Sequence, residues 1–152
     1  MRALLLLAAS VALALPASAQ DPGATATYAE ISLAAGFTPD PYSLEITAGG
    51  STSVDVTSAC DYGVVADAPD LEINLTDTDG GALYIYALSA EDTTLLVNLP
   101  DGSWLCDDDS YDDGDPLLEI DGAAAGLYDV WVGTYGGQTA EATLFVSEFD
   151  PR

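Results

Sequence analysis

From Tyr28 onward, apolar and polar residues alternate with a period of two. Leu71, Ile73 and Leu75 are interleaved with Glu72 and Asn74, and Leu83, Ile85 and Ala87 with Tyr84 and Tyr86. Leu95, Val97 and Leu99 follow the same rule, as do Tyr128, Val130 and Val132, and then Ala142, Leu144 and Val146. Successive side chains of a strand leave opposite faces, so each set predicts one face turned to a core and one turned outward. No segment sustains a helical stripe. The tripeptide Leu-Glu-Ile begins at 44, 71 and 118; the unequal intervals indicate shared strand chemistry rather than a repeat.

Turn-forming residues punctuate these runs. Thr76–Gly81 (TDTDGG) joins two of them, and the Asp-Gly within it is a hairpin signal. Ala48-Gly49-Gly50-Ser51 and Gly136-Gly137-Gln138 do the same elsewhere. The pattern predicts an all-β fold, an antiparallel, jelly-roll-like β-sandwich of about eight or nine strands. It spans residues 37–149, after an N-terminal lead segment over residues 20–36 that opens with the polar stretch DPGATAT.

The N-terminus changes the compartment. Met1-Arg2, an apolar run from Ala3 to Leu15, and Pro16-Ala17-Ser18-Ala19 form a signal peptide over residues 1–19, with cleavage expected after Ala19. The run is too short for a membrane span, which needs roughly 20 apolar residues. No cysteine follows the cleavage site, so a lipid anchor is not expected. The expected product is a periplasmic or secreted protein without membrane insertion. Two cysteines in one exported domain predict a Cys60–Cys106 disulfide.

Charge then narrows the partners. The chain has 26 acidic residues, no histidine, and only Arg2 and Arg152 as bases. Without Arg2 the side-chain charge is −25, 26 acids against Arg152 alone. Nucleic acid and anionic lipid would be repelled. The same acidity suits cation binding, and it also suits a purely structural protein adapted to salt.

The residue types exclude much chemistry. With no histidine there is no Ser-His-Asp or Cys-His arrangement and no histidine-bound zinc. With no lysine there is no Schiff base, and no glycine-rich loop opens a helix to hold a nucleotide. A carboxylate-dependent hydrolase of glycosidase type stays open, since paired acids suffice for it and Trp104, Tyr111 and Trp131 could supply a sugar platform.

The acid run CDDDSYDDGDP is the strongest candidate site. Asp107, Asp108, Asp109, Asp112, Asp113 and Asp115 supply hard oxygen ligands of the kind calcium takes, and Gly114 lets the chain curl. The spacing is not that of an EF-hand, because Tyr111 and Ile120 fall where ligands belong. The competing reading is a solvated acidic loop. Asp77 and Asp79 are read as turn formers.

Several motifs carry a family resemblance: Asp92-Thr93-Thr94-Leu95, Asp101-Gly102-Ser103-Trp104, Cys106-Asp107-Asp108-Asp109, and Gly126-Leu127-Tyr128-Asp129-Val130-Trp131-Val132-Gly133-Thr134-Tyr135. Together they resemble the bacterial pre-peptidase C-terminal domain over residues 37–149. That resemblance implies a β-sandwich appended to secreted proteases and without catalysis of its own. Some members bind calcium, and some bind matrix or polysaccharide. No protease accompanies it here, which leaves a stand-alone module whose partner is a carbohydrate, a polymer or another exported protein. The acid run is expected to be tethered, by the disulfide and Trp104 at one end and by Leu117 at the other.

Overall fold

A computed structural model describes residues 20–112 and 114–152; the expected signal peptide and Asp113 lie outside them. Two sheets pack face to face, and no helix occurs among the described residues. The first sheet runs β1 (Ala29–Ala34), β5 (Leu71–Asp77), β10 (Gly126–Thr134), β4 (Val64–Val65), β3 (Thr52–Ser53). On the other side of β10 it continues into β7 (Thr93–Asn98) and β8 (Trp104–Asp107). The second sheet is β2 (Tyr42–Ala48), β11 (Ala140–Ser147), β6 (Leu83–Ser89) and β9 (Leu117–Ile120).

The period-two runs supply the core as their spacing requires. Leu71, Ile73, Leu83, Ile85, Leu95, Val97, Val130, Val132, Leu144 and Val146 are all buried between the sheets. All three Leu-Glu-Ile tripeptides lie in strands, β2, β5 and β9. Three details differ from expectation. Eleven strands occur among the described residues, because β3 and β4 are two residues long and leave no alternation to read. The sheet also starts ahead of Phe37: β1 lies in the lead segment and pairs in parallel with β5, the one parallel pair among the described residues. Finally, the Asp79-Gly80 turn does not close a hairpin. It carries the chain from β5 in one sheet to β6 in the other, with Asp77 and Asp79 accepting hydrogen bonds from the amides of Thr78 and Gly81.

Each sheet's outer face is partly covered. On the first, a strap over residues 54–65 lays Val54, Val56 and Cys60 against Leu96 and Trp131, with Trp104 alongside. Cys60 is bonded to Cys106 on β8, as expected, closing the strap onto the sheet. Trp131 is fully buried, its ring 5.5 Å from that of Trp104. On the second sheet, Tyr111 of the acid run stacks on Tyr86 at 5.5 Å, and Tyr86 stacks on Phe145 at 4.8 Å, beside buried Leu117.

The first sheet also buries two carboxyls. Asp70 is 2% exposed and accepts a 2.8 Å hydrogen bond from the Val132 amide, yet burial pushes its pKa up to about 7. Asp129 lies directly opposite Glu72; burial and that neighbouring charge push it up to about 6. One Asp129 oxygen is buried without a hydrogen-bond partner.

Two outcomes follow. Cys60→Ser with Cys106→Ser should cost about 4 kcal/mol for a closure of this length. It should also shift tryptophan emission to longer wavelength as the strap lifts from Trp131; unaltered emission would mean that the strap is held by packing alone. The second concerns pH. A carboxyl whose pKa is higher folded than unfolded opposes folding once ionised. Stability should therefore be highest near the unfolded value of about 4 and fall as pH rises through about 7. Asp70→Asn retains an acceptor for the Val132 amide and should flatten that fall, by up to about 4 kcal/mol at pH 8. Parallel pH profiles for the variant and the parent in denaturant titrations would contradict this.

Candidate functional site at the loop end of the sandwich

Three connections between the sheets meet at one end. β6 passes to β7 through Ala90–Asp92, β8 to β9 through the acid loop over residues 108–116, and β10 to β11 through Tyr135–Thr139. Strand register brings them together. Thr134 pairs with Thr93, and Asp107 pairs with Leu95, so the start of β7 is flanked by the β10 turn and the acid loop. The β6–β7 turn, with Glu91 and Asp92, lies between the other two.

Backbone and side-chain hydrogen bonds lock the three connections. The Thr93 amide donates to the Gly114 carbonyl at 3.0 Å, and the Tyr135 amide donates to the Asp92 carbonyl at 3.1 Å. The Ser89 amide donates to the Asp115 carboxylate at 3.0 Å. Gly114 has a φ of +84° and lies against Asp92; a side chain there would be strained, which explains the glycine in the run.

The acid loop's own carboxylates divide by role. Asp107 accepts from the Ser110 amide and hydroxyl, at 2.9 and 2.6 Å, and from the Leu117 amide at 2.9 Å. It is a brace that closes the loop on itself. Asp115 braces the β6–β7 turn; burial, opposed by its bond to Ser89, raises its pKa, and Asp112 adds to the rise. Asp112 is exposed, and its carbonyl accepts from the Asp115 amide. Asp108 is half-buried, and burial raises its pKa, helped by the charges of Asp109, Asp107 and Asp92. Burial and the same loop's charges push the strap's Tyr62 up to about 12.

Two clefts flank the β6–β7 turn. One, of about 380 Å³, is lined by Ser89, Ala90, Glu91, Asp92, Asp109 and Gly114. The other, of about 340 Å³, is lined by Glu91, Asp92, Thr134, Tyr135, Gly136, Gln138 and Thr139. Glu91 and Asp92 therefore face both. Their place in the site was not legible in the run of aspartates, because only the pairing of β7 with β10 and β8 brings them there. Of the six expected ligands, Asp108 feels the charge of Asp92 and Asp109 shares a cleft with it, whereas Asp107 and Asp115 are engaged in bracing. Among the described residues no three acidic or cysteine side chains converge into a ready-made ion cage. Trp131, read from sequence as part of a possible sugar platform, is buried beneath the strap. Tyr111 is taken up in the Tyr86 stack.

No known family model matches the chain, and no curated protein matches it in sequence. In structure it is similar to the pre-peptidase C-terminal domain of a collagenase from Bacillus anthracis, with a TM-score of 0.48 and 11% identity over 82% of this chain and 100% of that one. It is also similar to PliG from Aeromonas hydrophila, a periplasmic inhibitor of g-type lysozyme, with a TM-score of 0.42 and 12% identity over 80% of this chain and 98% of that one.

Proposed function

We propose that the chain is an exported, non-catalytic binding module whose acid loop is stabilised by calcium and whose loop end meets the partner. The observation that carries this reading is the paired clefts around Glu91 and Asp92, where carboxylates from two different connections face open space. Mutual repulsion of Asp108, Asp109 and Asp92 is relieved if a divalent cation lies among them. Carboxylate and carbonyl oxygens are the donors calcium prefers. Asp108, Asp109 and Asp92 form no ready-made cage and would have to draw together around the ion to hold it, with Asp112 and Asp113 following in the sequence. The disulfide supports an oxidising compartment.

The hydrolase reading is weaker. Acid catalysis wants a carboxyl with a raised pKa facing a cleft. The two largest rises belong to Asp70 and Asp129 of the first sheet, and neither lines the loop-end clefts.

Calcium at a hundredfold excess over its dissociation constant should add about 2.7 kcal/mol of stability. This is read as a rise in melting temperature beyond that given by sodium chloride at matched ionic strength. Asp108→Asn with Asp109→Asn should abolish the calcium-specific part and leave the sodium response in place. A calcium response in the parent no larger than the sodium response would return the loop to a solvated acidic surface.

A further inference from the structure

The cleft between the β6–β7 and β10–β11 turns has chemistry that the calcium reading leaves unused. Tyr135 is 58% exposed at its mouth and is followed by Gly136 and Gly137, which leave open the space beside the ring. Glu91 and Asp92 supply carboxylates. Thr134 lines the same cleft; it is only 2% exposed, and its hydroxyl has no hydrogen-bond partner. The hydroxyl of Thr93, its cross-strand neighbour, is likewise buried without a partner. Buried hydroxyls are ordinarily satisfied, so one left without a partner beside an open cleft points to a polar group supplied from outside.

An exposed aromatic ring, two carboxylates and a hydroxyl acceptor match a guanidinium better than an ammonium. A planar guanidinium can stack on the ring, fork to a carboxylate and still direct N–H groups at a hydroxyl oxygen. The chain's own Arg152 is engaged elsewhere, with Asp150 at 2.9 Å and Glu119 at 2.6 Å. A formal charge of −24 draws basic surfaces toward the molecule from a distance. We propose that this cleft receives an arginine side chain from the surface of a basic protein partner. The proposal rests on the binding-module reading and names the partner's chemistry.

The test titrates the disulfide-bonded protein with acetylated hexa-arginine, and separately with hexa-lysine, at fixed ionic strength. Hexa-arginine should bind more tightly than hexa-lysine. Tyr135→Ala and Glu91→Gln should each weaken hexa-arginine binding about fivefold with the melting temperature unchanged, and Tyr135→Ala should leave the calcium response unchanged as well. Glu45→Gln, which removes an equal charge from exposed β2, should leave the affinity near that of the parent. If Tyr135→Ala and Glu91→Gln behave like Glu45→Gln, or if hexa-lysine binds as well as hexa-arginine, the arginine cleft is overturned while acidic binding stands. If hexa-arginine does not bind the parent at all, the basic-partner form of the module reading fails with it.

Discussion

Burial of both faces of β10 is the constraint on which the rest of the molecule depends. Its inward side chains, Tyr128, Val130 and Val132, join the core between the sheets. A strand paired with β5 and β7 at once cannot leave its other face bare when that face carries Trp131. The strap over residues 54–65 meets that need, and the Cys60–Cys106 bond keeps it there. Because Cys106 lies at the end of β8, the same bond fixes where the acid loop departs. The cover on the first sheet and the origin of the candidate site are therefore one arrangement.

Acidity on this scale is tolerated partly because many carboxylates act as local hydrogen-bond acceptors. Asp101 accepts from the amide and hydroxyl of Ser103, Asp107 from Ser110 and Leu117, and Asp115 from Ser89. Each replaces water with a fixed donor in a turn, the role in which short carboxylates excel. Where the β6–β7 turn meets the acid loop, Asp108 feels the charges of Asp109, Asp107 and Asp92.

Much of the fold was legible in the sequence because alternation reports directly on burial. Leu71, Ile73, Leu83, Ile85, Val130, Val132 and Leu144 are inward-facing as their spacing demands. The tethering of the acid run by Cys106, Trp104 and Leu117 was also legible, since apolar residues beside a charged run need somewhere to go. Sheet membership was not. Asp79-Gly80 signals a tight turn, but whether a turn folds a strand back or sends it to the other sheet is decided by what covers each face. The same limit hid Glu91, Asp92 and Tyr135 from view as site residues. They come together through the register of β7 against β10, a long-range pairing that no local pattern encodes.

The central claim is that the acid run is a built element docked on the β6–β7 turn rather than a solvated tail. Native-state hydrogen exchange at single-amide resolution addresses it directly. The amides of Ser89, Thr93 and Leu117 donate to Asp115, Gly114 and Asp107 of the loop. They should therefore exchange far more slowly than unstructured peptide, even in calcium-free buffer of low ionic strength. Exchange of these three at unstructured rates, while the amides paired between β10 and β7 stay protected, would show that the loop does not dock and that the clefts around Glu91 and Asp92 are not built.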